Sequence, residues 1–307
     1  MKIVVTGDDA GHRIDVIISK YTNYTRSQIK GKVREVFVNG KTKHFGYKVK
    51  EGDIIEFEDI VPEICDIAPE PIGIKVLYKD DDIAVIEKPY NMVVHPAPGH
   101  WSGTLVNALL YNLEDKLSFM GGYTRPGIVH RLDKETSGIM VIALHDKSHA
   151  ILSSLFKSRM VHKEYWAIVN GKIEEKNFKV DKPIGRNPKN RLKMAVIPDG
   201  KPAMTEFELL VTNGNYSLIK AKPITGRTHQ IRVHLKSIGH PIVGDTTYNP
   251  QASKQIKEFD LPESFIPLVA KKISFPHPSR DEIMFFEIDL PKEFKELMNS
   301  LSLEFVP

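Results

Sequence analysis

The hydrophobic and polar positions of the chain form short apolar runs separated by turns, together with a few segments of helical period. Two β-rich runs, 74–78 and 83–87, are separated by Lys79 and three aspartates and predict a hairpin. Residues 139–142 are apolar without interruption and predict a buried strand. Further strands are predicted at 163–169, 206–211, 216–222 and 283–290. Helices are predicted at 104–113, 145–159 and 293–301, and after the turn at 225–226, where Ile231, Leu235 and Ile238 share one face.

The first sixty residues predict a small α+β unit. A strand is expected at 2–6, followed by two helices at 12–18 and 25–29. Two further strands are expected at 36–38 and 49–57. Thr25 is predicted to cap the second helix, with Gln28 three residues on as in a capping box. Asn39 and Gly40 predict the tight turn of a hairpin.

Charge separates this unit from the rest of the chain. The whole chain carries a formal charge of +4, but residues 1–50 contain eleven Lys or Arg and four acids. Residues 51–70 contain eight acids and no base. So sharp a change indicates a domain boundary. We therefore predict a domain at 1–60, a proline-containing linker at 61–73 and a second domain at 74–307.

Composition excludes several classes of protein. Cys65 is the only cysteine, so neither an intrachain disulfide nor a cysteine-rich zinc site is expected. No apolar run approaches the roughly 18 residues of a membrane span. The N-terminus lacks the apolar core of a signal peptide. The expectation is a cytoplasmic protein without a membrane association.

The segment richest in chemistry is 130–138, His-Arg-Leu-Asp-Lys-Glu-Thr-Ser-Gly, directly before the predicted buried strand. Asp133 lies there with a basic residue on each side, and nearby positive charge favours an ionised carboxylate. An ionised carboxylate suits a nucleophile or an electrostatic stabiliser better than a general acid. The alternative is structural, with Asp133 capping a turn that contains Thr136 and Ser137.

This segment resembles the nucleophile motif of the pseudouridine synthases, in the branch that modifies uridines of ribosomal and transfer RNA. The resemblance implies that Asp133 is the catalytic residue, and that Arg131 fills the space vacated by a flipped-out base. Residues 88–96 resemble the first motif of that family, whose role is structural, although Tyr-Asn here replaces the usual small residues. The resemblance extends over nearly the whole chain, with its motifs in family order.

Two further site residues follow from the resemblance. Tyr165, in a Lys-x-Tyr sequence, is expected against the target base, and Arg227, in Thr-Gly-Arg-Thr-His, is expected to pair with Asp133. From the residues alone, core or cross-strand packing is the more common role of a tyrosine like Tyr165, and Arg227 suits an ordinary phosphate or solvent contact at a helix start. His229 and His234 lack the spacing of a zinc-binding helix, so no metal site is expected.

The first unit resembles the alpha-L type RNA-binding module of a small-subunit ribosomal protein. Arg26, Lys30 and Lys32 on its second predicted helix would present a basic surface to RNA phosphates, and the basic loop with Arg186 and Arg191 also suits an RNA backbone. A solvated basic face is the alternative for both. The implied fold class is α+β: a mixed, largely antiparallel sheet with flanking helices and a central cleft, preceded by a small α+β RNA-binding domain.

The predicted function is isomerisation of uridine to pseudouridine in structured RNA, with large-subunit ribosomal RNA as the partner. The chain is expected to act as a monomer without a cofactor, including any nucleotide cofactor. The alternatives are a transfer-RNA pseudouridine synthase and a non-catalytic RNA-binding or ribosome-assembly factor. A glycoside-type hydrolase is a further alternative, in which Glu135 would be the second carboxylate.

Overall fold

The computed structural model describes residues 1–22, 26–58, 67–97, 99–113 and 116–304, without the side chains of Ser27, Gln28 and Lys32. The predicted helix cap at Thr25 and Gln28 lies outside this described part, and so does the side chain of Lys32. The chain divides into two compact units, Met1–Ile64 and Cys65–Pro307. Each unit is built around its own hydrophobic core.

The first unit packs two helices on a small antiparallel sheet. Its elements are β1 (Lys2–Val4), α1 (Ile14–Tyr21), α2 (Arg26–Lys32), β2 (Val36–Val38), β3 (Lys41–Thr42) and β4 (Ile54–Phe57). The described strands are ordered β1-β4-β2-β3. The predicted turn between β2 and β3 is confirmed, because Asn39 and Gly40 have φ values of 52° and 73°. Two successive positive φ values match the right-handed twist of the flanking strands.

The second unit contains eleven of the described strands and five of the described helices. The strands are β5 (Lys75–Lys79), β6 (Ile83–Lys88), β7 (Ser137–Ala143), β8 (His162–Asn170), β9 (Asn177–Asp181), β10 (Ile184–Arg186), β11 (Met194–Val196), β12 (Met204–Thr212), β13 (Tyr216–Pro223), β14 (Leu268–Pro276) and β15 (Ile283–Glu287). The helices are α3 (Leu105–Asn112), α4 (Asp146–Lys157), α5 (Gln230–Ser237), α6 (Ala252–Glu258) and α7 (Lys292–Ser300).

Most of these strands form one sheet of order β5-β6-β7-β14-β8-β13-β12-β9, with β15 paired to β14. The pair β7 and β14 is parallel, and the other neighbouring pairs of this sheet are antiparallel. Strands β10 and β11 form a separate antiparallel hairpin. The predicted fold class, a mixed and largely antiparallel α+β sheet with flanking helices, is confirmed.

Helices cover both faces of the central strand β7, and this explains its uninterrupted apolar sequence. Met140 and Ile142 pack on the side of α3 and α5, whereas Ile139 and Val141 pack on the side of α4 and α7. A strand that is buried on both faces has no polar alternation. The loop that carries Asp133 therefore leads directly into the most deeply buried strand of the unit.

A close approach between β7 and β14 fixes the start of β7. Gly138 has φ 122°, and a Cβ atom there would overlap the backbone of Ala270. Only glycine combines this φ with the absence of a side chain. The parallel pairing of Val269 with Ser137 and of Ala270 with Gly138 depends on that contact. It holds the segment after Asp133 against β14.

In the described part of the chain, no helix combines the length and the apolar character needed to cross a membrane.

Candidate active site

A cavity of about 560 Å³ opens in the second unit. It lies between the 129–136 segment, strand β8, the end of α4 and the loop that leads into α5. The residues that line it include Arg131, Asp133, Tyr165 and Arg227. The structure thus brings together the four residues of the second unit that the family resemblance predicts at the active site.

The Asp133 carboxylate lies in the cavity wall rather than in a turn cap. The turn after it is closed by the backbone, with Thr136 N–H donating to the Asp133 carbonyl at 3.2 Å. Within the described residues, the carboxylate makes no hydrogen bond to Thr136 or Ser137. The side chain keeps 16% of its exposure. The structural alternative for Asp133 therefore lacks the contact that defines it.

The arginine that faces Asp133 is Arg232, which corrects the pairing expected for Arg227. Arg232 Nη1 lies 3.6 Å from Asp133 Oδ2. Arg227 instead donates from Nε to the Pro202 carbonyl at 3.1 Å. The physical reason is the position of α5. Arg227 precedes the first turn of this helix, whereas Arg232 lies within it on the side of the Asp133 loop.

Arg232 is held by three carboxylates and is only 1% exposed. It donates two hydrogen bonds of 2.8 Å to the buried Asp245 and one of 2.9 Å to Glu135. Burial lowers the pKa of the guanidinium, but hydrogen bonding to Asp245 and the three negative charges outweigh burial and raise the pKa above its ordinary value. Arg232 is thus a fixed cation with a rigid fork, and the nitrogen that donates to Glu135 also lies 3.6 Å from the Asp133 carboxylate.

His229 stands on the other side of the Asp133 carboxylate. Its Nε2 lies 3.9 Å from Asp133 Oδ1, and its Nδ1 lies 2.7 Å from the hydroxyl of Tyr248. Burial lowers the pKa of the imidazole, and the charge of Arg232 lowers it further, against smaller opposing effects of Asp133 and the other carboxylates, so the ring is neutral at neutral pH. From the sequence, His229 has no predicted role and appears only in a metal-site interpretation that its spacing disfavours. The position of His229 directly before α5, in the same motif as Arg227, is the sequence feature that could have identified it.

Tyr165 contributes both to the core and to the cavity. It is 9% exposed, belongs to the main hydrophobic cluster and lines the cavity wall. Burial, and then the negative charge of Asp133, raise the pKa of the phenol well above its ordinary value. The hydroxyl therefore carries its proton at neutral pH, and the residue forms part of the cavity wall. Tyr165 can therefore both pack in the core and lie against a base in the cavity.

Lys88, at the end of β6, is bound by a hydrogen bond to the loop that contains Asp133. Its side chain is fully buried, and Nζ donates to the carbonyls of Pro89 at 2.7 Å, Met92 at 2.9 Å and Lys134 at 3.3 Å. Burial lowers the pKa of Lys88 from 10.5 to about 7, against the attraction of Asp133 and Glu135. Lys88 thereby joins the first motif of the sequence to the peptide that follows Asp133.

Replacement of Lys88 by Met is expected to lower the melting temperature, and the deficit is expected to grow between about pH 7 and about pH 9. The replacement leaves three carbonyls without the Lys88 donor. The carbonyl of Met92 accepts in a buried hydrogen bond, and its loss costs about 1 kcal/mol or more. The wild-type protein also gains stability as pH rises from about 7 towards 10.5. In that window the unfolded state binds more protons at Lys88 than the folded state does.

Thermal melts of both proteins at the two pH values measure this effect. Lys79→Met, at an exposed position of β5, is the matched control and should show a difference from wild type that is independent of pH. An equal deficit of Lys88→Met at both pH values would contradict a lowered pKa of Lys88 in the folded protein.

Besides Arg131 at the cavity, the described residues predicted to contact RNA lie on the β10–β11 hairpin and on α2. Arg186 and Arg191 are exposed on and near the β10–β11 hairpin, where Arg186 Nη1 donates to the Arg191 carbonyl at 3.0 Å. In the first unit, Arg26 and Lys30 both pair with the buried Asp15, at 3.1 and 3.2 Å. Their side chains remain 52% and 46% exposed. Asp15 therefore fixes these two cations on the surface without enclosing them.

Among the described residues, one group has the donor set of a metal site: Asp80, Asp82 and His277, whose ligand atoms lie within 4.8 Å of one another. These atoms already have partners. His277 Nε2 lies 2.9 Å from Asp80 Oδ2, and Asp82 Oδ1 lies 2.8 Å from the ring of His145. Arg280 also contacts Asp80. The group joins neighbouring turns away from the cavity, and the expected lack of a metal site stays a prediction.

Comparison with known proteins gives consistent results. The RNA pseudouridylate synthase family matches residues 82–237 of the chain. An uncharacterized RNA pseudouridine synthase of Aquifex aeolicus is 44% identical and covers 98% of this chain and 96% of its own. The ribosomal large subunit pseudouridine synthase D of Zymomonas mobilis is 35% identical over 98% of both chains. The solved structure of human RNA pseudouridylate synthase domain containing 4 is 27% identical, with a TM-score of 0.58, and covers 74% of this chain and 93% of its own.

Proposed function

Because the chain belongs to the RNA pseudouridylate synthase family, we propose that it isomerises uridine to pseudouridine in large-subunit ribosomal RNA. The chain is an isomerase by virtue of its family. The substrate is proposed from the relative in Zymomonas mobilis, whose name specifies the large ribosomal subunit. The observation that carries the chemistry is the Asp133 carboxylate in the cavity wall, facing the fixed cation Arg232 and sharing the cavity with Tyr165.

The reaction breaks the N1–C1′ bond of uridine, rotates the uracil and forms a C5–C1′ bond. The proton on C5 is lost and N1 gains one, so the nucleotide keeps its composition. Asp133 acts covalently on the nucleotide or stabilises a ribose intermediate. Either role needs an ionised and oriented carboxylate, and Arg232 supplies the positive charge for both. Because Arg232 is itself held by Asp245, it does not need to move during the reaction.

The target base has to leave the RNA stack to reach Asp133. Flipping a base costs roughly a few kcal/mol of unstacking. Arg131 is exposed at the cavity wall beside Asp133, where its guanidinium would occupy the vacated space in the RNA. Tyr165 offers the flipped uracil a face on which to stack and a protonated hydroxyl.

Two basic surfaces suit the RNA around the target. The β10–β11 hairpin presents Arg186 and Arg191, and the first unit presents Arg26 and Lys30. Arginines and lysines that neutralise phosphates supply most of the affinity for structured RNA. We propose the first unit as the RNA-binding domain and 61–73 as its linker.

The protein is further proposed to act as a cytoplasmic monomer without a metal or nucleotide cofactor. The isomerisation exchanges only protons with its surroundings, so it requires no redox partner and no phosphate donor. The hydrolase alternative needs Glu135 as its second carboxylate. Glu135 does not line the cavity, and it accepts a hydrogen bond from Arg232 at 2.9 Å.

Release of tritium from C5-labelled uridine tests the function. Unmodified large-subunit ribosomal RNA is expected to release tritium with the purified protein, and unmodified transfer RNA is the parallel substrate. Nucleoside analysis of the product should show pseudouridine and no free uracil. Release from transfer RNA alone would overturn the proposed substrate. Free uracil would overturn the isomerisation, and release from neither RNA would favour the non-catalytic RNA-binding alternative.

A further inference from the structure

The turn at 245–249 touches both the active site and the RNA-facing hairpin. Its Tyr248 is 3% exposed. The Tyr248 hydroxyl accepts a hydrogen bond from Met194 N–H of β11 at 3.0 Å and lies 2.7 Å from Nδ1 of His229. The same turn contains Asp245, the partner of Arg232. One buried hydroxyl therefore joins the hairpin to the histidine beside Asp133.

The hydrogen-bond partners of that hydroxyl fix the tautomer of His229. A tyrosine hydroxyl has one proton to donate, and Met194 N–H supplies a donor rather than an acceptor. Within the described residues, the acceptor available to the hydroxyl proton is His229 Nδ1. A buried hydroxyl proton without an acceptor is energetically unfavourable. Nδ1 is therefore the acceptor, and the neutral ring carries its proton on Nε2.

The proton on Nε2 points towards the catalytic carboxylate. Nε2 lies 3.9 Å from Asp133 Oδ1, while Arg232 Nη1 lies 3.6 Å from Asp133 Oδ2. The two carboxylate oxygens thus each face one donor. Both distances exceed the range of a hydrogen bond, and such contacts commonly shorten when substrate is bound.

We propose that Tyr248 is a positioning residue of the isomerisation, which acts by holding His229 as the Nε2–H tautomer so that His229 and Arg232 orient the Asp133 carboxylate from its two sides. This inference rests on the proposed function and deepens it, because it assigns the residues that orient the nucleophile. His229 and Tyr248 also meet edge to face, with ring centroids 5.6 Å apart and planes at 81°. The contact fixes the direction in which the imidazole points.

The backbone of His229 supports a positioning role. His229 has φ 54° and ψ 23°, the left-handed conformation, directly before α5. A non-glycine residue in that conformation is strained and persists where its surroundings hold it. Here the Gln230 side chain accepts from Thr225 and from Arg227 N–H. This closed turn presents the His229 ring to the cavity rather than along the helix.

A purely structural role for Tyr248 predicts a different kinetic result. The hairpin has a second anchor on the same turn, since Lys193 Nζ donates to the Thr247 carbonyl at 2.8 Å. A residue that only anchors the RNA-facing hairpin affects RNA binding and therefore KM. A residue that orients Asp133 affects kcat. The two roles are thereby separable.

Tyr248→Phe, which removes only the hydroxyl, is the test. We expect kcat for tritium release to fall roughly tenfold, with KM changed less than about threefold. Tyr216→Phe is the matched control, because Tyr216 packs its ring on Phe259 and does not line the cavity. It should retain the wild-type kcat and KM. A raised KM with an unchanged kcat for Tyr248→Phe would assign Tyr248 to hairpin anchoring and overturn the proposal.

The tautomer is read independently of activity. In protein labelled with ¹⁵N-histidine, and assigned with His229→Gln, we expect Nδ1 of His229 to resonate as an unprotonated acceptor and Nε2 as a protonated nitrogen. Tyr248→Phe should remove this preference. A wild-type ring protonated at Nδ1 would overturn the proposal. Because this spectrum needs no RNA, failure of the proposed function and failure of this inference are distinguishable.

Discussion

Asp133→Asn is expected to reduce tritium release from unmodified large-subunit ribosomal RNA by about 10⁴-fold or more, the size of effect seen when an enzyme loses its nucleophile. The amide has the shape of the carboxylate but neither attacks a nucleotide nor stabilises positive charge on ribose. Arg232 keeps its contacts with Asp245 and Glu135 in the variant. The fold should therefore remain, and the loss should appear in kcat.

RNA binding separates this prediction from its rivals. The affinity of Asp133→Asn for RNA should stay within about threefold of wild type, because the basic residues proposed to contact phosphates are unchanged. Asp281→Asn, an exposed position of the same unit, is the matched control and should retain full activity. Tritium release by Asp133→Asn at more than about a tenth of the wild-type rate would remove Asp133 from the chemistry.

The sequence predicts local structure well where one physical cause dominates. The run at 139–142 could be assigned to a buried strand because no polar residue interrupts it, and β7 includes it with both faces covered. The turn at Asn39 and Gly40 could be assigned because few residue pairs tolerate two positive φ values. Strand β14 was not predicted. Its parallel contact with β7 depends on the absence of a side chain at Gly138, which no local pattern reveals.

The site shows the same division between local and long-range causes. Asp133, Tyr165 and Arg131 could be placed by resemblance, and the structure brings them to one cavity. The position of Arg232 could not be predicted from the helix pattern. The apolar spacing of Ile231, Leu235 and Ile238 describes a helix with one buried face, yet every residue from Gln230 to Leu235 in α5 is buried. The face opposite the core packs on the Asp245 turn, which lies thirteen residues away from Arg232 in sequence.

The pairing of Asp133 is tested most directly by comparing Arg232→Met with Arg227→Met. Arg232→Met should lower kcat by about 10³-fold, since it removes the preorganised cation at the carboxylate. Arg227→Met should lower kcat by less than about tenfold, because Arg227 contacts the Pro202 carbonyl and not Asp133. A reversed order of the two variants would restore the pairing expected from the sequence motif.

Stability distinguishes a catalytic loss from an unfolded variant. Among the described residues, Arg232→Met leaves the fully buried Asp245 carboxylate with backbone donors alone, Thr247 N–H at 3.0 Å and Tyr248 N–H at 3.2 Å. Removal of one partner from a buried ion pair costs roughly 3–5 kcal/mol, so a lower melting temperature is expected.

Arg232→Lys retains the charge but loses the two-pronged contact with Asp245. It should melt between wild type and Arg232→Met and lose most of the activity, because a lysine cannot bind Asp245 through two nitrogens and still present a third to Asp133. A folded Arg232→Lys with wild-type kcat would show that positive charge alone, without this geometry, is sufficient at Asp133.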